Sequence, residues 1–287
     1  MVLIWDKAML QFKQKKPHPS LRDFIHGYWL IESDAAYERL ELVPDGYPEI
    51  FFTLNGNIQI FSEKNHWQCF DQAGLIGQVT HRFAFETRDY SKVLYVKLYP
   101  WTPYSLFKIP FWQMNDAVVG IHDVTPDTRF RELSERVYAA ENVDRATTIL
   151  DAFFIQRLLP SQIENPFLHF AVRQIFSSNG TVGIDTLTQQ IHASRRYVEK
   201  LFKQEIGMTP KQYARLIRVK KASMLLLDPQ FSGQINSIIG PLDYYDQSHF
   251  LKDFKAVVQQ TPTEFLGSQL NLSADCLKAY LQQWDYS

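Results

Sequence analysis

The feature that most restricts how this 287-residue chain can fold is a repeated helix-turn-helix pattern across residues 183–265. Leu187 and Ile191 lie four apart, and after a short break Val198, Leu201 and Phe202 keep the spacing of one helical face. Ser194 stands where an N-cap accepts a bond from the first turn, and Gly207 stands just past the end of that helix. Thr209-Pro210 then opens a long helix, with proline at the first helical position, where its missing N–H costs nothing. Tyr213, Leu216, Ile217, Ala222 and Leu226 form its apolar stripe, and Asp228-Pro229 ends it. At 1.5 Å per residue such a helix spans roughly 27 Å. The pattern then returns. Ile235, Ile238 and Ile239 form a short helix, and Asp246 precedes another with Phe250 and Phe254 inward. Thr261-Pro262 repeats Thr209-Pro210 after about fifty residues.

Burying these stripes leaves Arg195, Arg196, Glu199 and Lys200 on the outer face of the first unit, and Gln247, His249 and Lys252 on that of the second. The stretch resembles the DNA-binding domain of the AraC/XylS family of bacterial transcription regulators. The resemblance rests on Ser194, Leu201-Phe202-Lys203, Gly207 with Thr209-Pro210, Arg218, Ala222, Leu225-Leu226, Ile235, Ile238, Ser248 with Phe250, Phe254-Lys255 and Thr261-Pro262. It implies that the helix after each turn enters a major groove of double-stranded DNA, with the long helix setting the separation. The base-reading residues it implies are Arg195, Arg196, Glu199 and Lys200, then Gln247, Ser248, His249 and Lys252. Arg and Lys suit guanine acceptors, Gln suits adenine, and Glu suits the cytosine amino group. Three positions depart from the family: Asp243-Tyr244 replaces a Gly-Phe pair, Gln259 replaces a glycine, and Pro241 implies that the preceding helix ends early.

The first 122 residues read as β-rich. The clearest hairpin signal is Asn55-Gly56 between the apolar runs 49–54 and 57–61, which favours a type I′ turn. Further strands are expected at residues 28–31, 39–43, 74–80, 81–87 and 92–99. Pro44-Asp45-Gly46-Tyr47-Pro48 has turn chemistry, with proline fixing φ and glycine free to take positive φ. Asp45 and Glu49 fall there, where a solvated turn explains them better than catalysis. This half is similar to the cupin-like sensing or dimerising domain of one AraC-like branch, on that turn, on residues 77–80 and on residues 97–104. Aromatics such as Trp29, Phe51, Phe85 and Tyr95 read individually as core, with a pocket lined by a minority of the aromatics as the alternative. Stripes at Phe130, Leu133, Val137 and Tyr138, and at Ala146, Ile149, Leu150, Phe153, Phe154 and Leu158, predict two helices. These either cover the sheet or build a dimer interface.

Charge and cysteine usage narrow the function classes. The net charge is −1 overall, yet residues 185–258 hold eleven Lys/Arg against seven Asp/Glu, and the remainder nineteen against twenty-four. A basic reader on an acidic body suits phosphate binding. The two cysteines, Cys69 and Cys276, have no metal-ligand spacing and fit a reducing compartment. No secretory leader or membrane-spanning run is apparent, which gives a cytoplasmic expectation. Histidines 18, 26, 66, 81 and 122 are scattered singly, and no nucleophile elbow or phosphate loop appears.

The expected fold class is α+β: a cupin-like β-barrel or sandwich with trailing helices, then an all-α domain of two helix-turn-helix units joined by a long helix. The expected domains are residues 1–160 for sensing or dimerisation, 166–268 for DNA binding, and 269–287 as a tail helix. The expected function is a sequence-specific regulator with no catalysis, metal or cofactor. Its expected partners are double-stranded DNA, a small-molecule effector of unknown site, RNA polymerase and a second copy of the chain, with no membrane. The alternative is a metal- or sugar-dependent cupin enzyme carrying a helical assembly module.

Overall fold

The computed structural model describes residues 10–33, 37–62, 64, 66–88, 90–158, 165–228 and 235–269. Most of the expected tail (270–287) and of the linker (160–166) lies outside the described residues. The N-terminal half is built from β1 (Leu10–Lys15), β2 (Ile25–Ser33), β3 (Tyr37–Leu42), β4 (Glu49–Asn55), β5 (Ile58–Ser62), β6 (His66–Phe70), β7 (Ala73–Ile76), β8 (Phe83–Arg88), β9 (Ser91–Leu98) and β10 (Val118–Gly120). They form two antiparallel sheets, in the orders β1-β2-β9-β4-β7-β10 and β3-β8-β5-β6. After the short helices α1 (Thr102–Phe107) and α2 (Ile121–Val124) come α3 (Arg129–Tyr138) and α4 (Val143–Leu158).

The six-stranded sheet is covered on both faces, and the sequence shows why. Successive side chains of a strand point to opposite faces. In β2, Tyr28 and Leu30 join one core while Trp29 and Ile31 join another. β4 divides Ile50 and Phe52 from Phe51 in the same way, and β9 divides Leu94 and Val96 from Val93 and Tyr95. One core lies under α3 and α4, which supply Phe130, Leu133, Val137, Leu150 and Phe154. The other is shared with Ile58, Ile60 and Phe85 of the four-stranded sheet. The near-continuous apolar runs of β2, β4 and β9 are what two covered faces demand. The trailing helices therefore spend their apolar stripes on covering the sheet. The result is an α+β chain whose N-terminal half is a two-sheet antiparallel sandwich.

The hairpin expected at Asn55-Gly56 does not form. β4 pairs with β7 and β9, whereas β5 pairs with β6 and β8 in the other sheet. Gly56, at φ +72°, turns a corner between the two sheets instead. A turn signal reports only local backbone, whereas β4, apolar on both faces, belongs in the middle of the covered sheet. The strand β6 escaped the sequence reading because its residues are largely exposed.

The C-terminal half comprises α5 (Pro166–Ser177), α6 (Ile184–Gln190), α7 (Arg195–Glu205), α8 (Pro210–Leu227), α9 (Ile235–Ile239), α10 (Gln247–Val258) and α11 (Pro262–Gln269). The caps act as their residues suggest. Ser194 Oγ accepts from Tyr197 N at 3.3 Å, and Thr209 with Gln212 forms a capping box. Asp246 accepts from His249 N at 2.7 Å, and Thr261 with Glu264 reproduces the reciprocal bonding. α9 ends at Ile239, before Pro241, as that proline requires. No helix among the described residues is long and apolar enough to cross a membrane.

Both substituted glycine positions of the second unit keep the glycine conformation. Asp243 has φ +53° and Gln259 has φ +60°. A non-glycine residue in the left-handed region costs about 1–2 kcal/mol, less for Asp, whose short polar side chain tolerates it. Gln259→Gly should therefore raise unfolding free energy by about 0.5–1 kcal/mol and Asp243→Gly by less, after the entropy that glycine adds to the unfolded chain. Urea unfolding of each variant beside Gln259→Ala tests this, since alanine relieves none of the strain and should give no gain.

Candidate nucleic-acid interface and its seam with the sandwich

The first unit seats Leu187 and Ile191 against Val198 and Phe202, and this fixes which side of α7 faces outward. Arg195, Arg196 and Lys200 are exposed there and Glu199 is half-buried. Arg195 is already engaged, through Nε to Glu199 at 3.1 Å and through its guanidinium to Asp185 at 3.7 Å. Arg196 and Lys200 make no ion pair among the described residues. Tyr197, 44% exposed on the first turn of α7, was missed by sequence reasoning because its helical position also suits a core aromatic.

In the second unit Gln247, Ser248 and Lys252 are exposed at the start of α10. His249 is turned partly inward, its ring edge-on to Tyr244 at 5.2 Å and its Nε2 3.7 Å from Asp253. Asp253 does not offset the lysines of the outer face. It is buried against α8, with Arg218 at 3.4 Å and Arg215 at 4.0 Å. Arg218 also lies over the Tyr244 ring, 4.6 Å from its centre. Asp246 is spent as the cap. The outer face of α10 is thus more cationic than its sequence suggests, with Lys252 and Lys255 exposed. Tyr245, 92% exposed just before α10, is a further surface aromatic that the helical pattern gave no reason to single out.

Both units are held by one loop of the sandwich. Residues 44–48 do not form a solvated turn. Val43 enters the core of the second unit, whereas Tyr47 enters that of the first. Tyr47 stacks on Phe176 at 5.3 Å, and Tyr213 of α8 donates its hydroxyl to Gly46 O at 2.9 Å. Gly46 takes φ +86°, and a Cβ there would lie 2.9 Å from Ile217 Cδ1. Tyr213, Ile217 and Lys220 share one face of α8, and the loop occupies that face.

The loop is tied down by buried charge. Lys97 of β9, 3% exposed, bonds Asp45 Oδ2 and lies 3.6 Å from Glu49 Oε1. Asp45 Oδ1 meanwhile accepts from Tyr47 N at 3.0 Å. Lys220, also 3% exposed, reaches Asp45 O at 3.4 Å and lies over the rings of Tyr47 and Phe176. Burial alone would raise the Asp45 carboxyl, but Lys97 and Lys220 overcome it and hold the group below its usual range. Burial raises Glu49 in spite of Lys97. Burial works against the Lys97 ammonium, but the two carboxylates win and raise it. Burial pulls Lys220 well down, only partly offset by Asp45. The sequence did carry a signal for this cluster, namely a lysine inside β9, where every neighbour is buried.

Other contacts complete the seam. Gly207, at φ +91°, ends α7 against residues 111–115 of the sandwich, and Asn115 Nδ2 donates to its carbonyl at 2.7 Å. Trp101 stacks on His169 of α5 at 4.0 Å, and Gln204 donates to the Tyr104 hydroxyl at 2.6 Å. The second unit is reached by Arg82 N donating to Val257 O at 3.0 Å. Among the described residues no cluster of three or more His, Cys, Asp or Glu is placed to hold a metal.

Two consequences can be measured. Removing one partner of a buried ion pair leaves the other charge uncompensated, so Asp45→Ala should cost about 3–5 kcal/mol in urea unfolding. His26, beside Tyr47 at 4.9 Å, is lowered to about 3 by burial, then by Lys97 and Lys220. It is neutral in the folded chain, while the unfolded chain takes up its proton below pH about 6.5. Its stabilising contribution is therefore present above pH 6.5 and lost as pH falls toward 3, at up to about 1.4 kcal/mol per pH unit. His26→Asn should flatten the stability profile between pH 6 and 4 by about that slope. An unchanged slope in that variant would remove His26 as its source.

Comparison with known proteins agrees with this geometry. Residues 187–268 match the family described as a helix-turn-helix domain, and residues 13–120 match a domain of unknown function, DUF6597. The Msm operon regulatory protein of Streptococcus mutans is 22% identical over 141 residues, which are 48% of this chain and 50% of that protein. An uncharacterised helix-turn-helix-type transcriptional regulator of Haemophilus influenzae is 30% identical over 82 residues, 29% of this chain and 27% of its own length. The chain thus spans half or less of the curated relatives it matches. Among solved structures, ToxT from Vibrio cholerae aligns over 92% of this chain and 99% of its own at 11% identity, with a TM-score of 0.44. From its two capped units and the matched family, the chain carries a double helix-turn-helix domain.

Proposed function

We propose that this chain is a sequence-specific, DNA-binding transcription regulator of the cytoplasm, without catalysis of its own. Residues 166–268 read DNA, and residues 1–160 sense a small molecule, pair two copies of the chain, or do both. The observation that carries the reading is the first unit. Its apolar face is seated on Leu187, Ile191, Val198 and Phe202 and its helix is capped by Ser194, while Arg196 and Lys200 are exposed on the outer side of α7 and make no ion pair among the described residues. That the Streptococcus mutans and Haemophilus influenzae relatives are both regulators by name supports the same reading.

On this reading α7 and α10 enter successive major grooves on one face of the duplex, with α8 as the spacer. Arg196 and Lys200 are the primary base contacts, and Glu199 both steers Arg195 and is available to a cytosine amino group. Gln247, Ser248 and Lys252 serve the second groove. His249 contributes least, because Tyr244 and Asp253 hold its ring. Lys252 and Lys255 add phosphate attraction that is not cancelled by Asp253, so the second unit positions the protein more firmly than its sequence suggests.

Arg196→Ala or Lys200→Ala should each weaken operator binding by about 1–3 kcal/mol and relax preference at one or two base pairs. His249→Ala should cost distinctly less, and Lys252→Ala should act mainly through the salt dependence. Fluorescence anisotropy against a selected operator at two salt concentrations measures both terms. Larger losses from His249 than from Arg196 would reverse the ranking of the two units.

A further inference from the structure

On the side of the six-stranded sheet where β1 meets the turn between α3 and α4, an open groove of about 480 Å³ lies between two walls of opposite charge. The strand wall carries Lys13, Lys15 and Lys92 with one carboxylate, Glu32, a surplus of two positive charges. The turn wall carries Glu141 and Asp144, a surplus of two negative charges. Between them Val143 offers half-exposed apolar surface, over a buried floor of Tyr28, Leu30 and Leu94. Glu32 is committed to its own wall, with Lys92 at 2.6 Å and Lys13 at 3.6 Å, and these bonds hold its carboxyl below the usual range. The walls are joined by Lys15 Nζ to Asp144 Oδ1 at 2.9 Å.

That bridging pair is wet, with the two side chains 39% and 86% exposed. An exposed ion pair contributes little, because water and salt screen it and two long side chains must be ordered to make it. A ligand that brings both charges can replace it at little cost. Each wall then keeps a counter-charge, and the ligand gains the apolar lining. The volume falls within the usual range for small-molecule sites. A ligand with a single charge would satisfy one wall and leave the other unmatched.

We infer that this groove binds a small zwitterion with an apolar body, of the class of neutral α-amino acids. The carboxylate lies toward Lys13 and Lys15, the ammonium toward Asp144 and Glu141, and the side chain lies against Val143. As an effector site the groove rests on the regulatory reading above, but binding itself does not. The test is calorimetric titration of the full chain with L-leucine and L-phenylalanine, with hexanoate and hexylamine as singly charged controls. Saturable binding of at least one amino acid is expected, with the controls weaker by about tenfold or more. Asp144→Lys and Lys15→Glu should each weaken binding by about tenfold, and both exposed positions should leave circular dichroism unchanged. Absence of binding by both amino acids, equal binding by hexanoate, or indifference to both substitutions would each overturn the inference. Operator binding by the same variants without amino acid should match that of the unmodified chain. A general failure to bind operator would count against the regulatory reading and leave the groove to be judged by its own titration.

Discussion

The ammonium of Lys97 sits between two carboxylates in a space that water barely reaches, and most of the seam is arranged around it. Asp45 bonds it from the loop and Glu49 approaches from the first residue of β4, so the ends of residues 44–48 are pinned to the sheet. Pinned in that way, the loop presents Gly46 and Tyr47 to α8 and α5, and Lys220 closes over the same rings from the other side. Buried ions are costly unless each lone pair and proton is met, and this cluster meets them with two carboxylates, a backbone carbonyl and aromatic faces. Its arrangement makes the seam a defined geometry rather than a loose apolar contact.

The loop is short, yet it touches both helix-turn-helix units. Val43 and Tyr47 are four residues apart in the chain and belong to different helical cores. The separation of the units is set by α8 from within, and the sandwich braces the same helix from outside. Gly207 adds a second brace at the end of α7, where a side chain would collide with Asn115. The division of the chain into domains at residues 160–166 therefore describes the order of the sequence better than its packing. Trp101 and Tyr47 are sandwich residues by sequence and reader residues by contact.

Legibility in the sequence followed the range of the forces involved. The helices of the C-terminal half were readable because their caps and stripes act within one or two turns: Ser194, Thr209-Pro210 and Thr261-Pro262 report local bonds that form as soon as the helix does. The sheet order was not readable. Asn55-Gly56 announces a reversal, but which strands then pair is decided by the two covered faces of β4, tens of residues apart in the chain. Asp45 and Glu49 looked solvated because turn residues usually are, and Lys97 is more than forty residues away. The exposed outer side chains of α7, Arg195, Arg196 and Lys200, fell where helical periodicity put them. The roles of Asp253 and His249 did not, because Asp253 is held by Arg218 from another helix and His249 by Tyr244 and Asp253.

β9 links the sandwich's two charged features. Lys92 and Leu94 line the groove near one end of the strand, and Lys97 anchors the loop near the other. Five residues of extended chain separate Lys92 from Lys97, about 17 Å. The strand is hydrogen-bonded on both sides, to β2 and to β4, so it cannot bend locally without breaking ladder bonds in the middle of a covered sheet. A shift of the strand would move Lys97 against the loop that it pins through Asp45. The buried ionic cluster is the part of the seam least able to follow such a shift without loss, since Coulomb energy at low dielectric changes steeply with separation. A sheet covered on both faces thus does more than fill the core of the sandwich. It gives the charged loop that braces both helix-turn-helix units a support paired on both sides, to β2 and to β4.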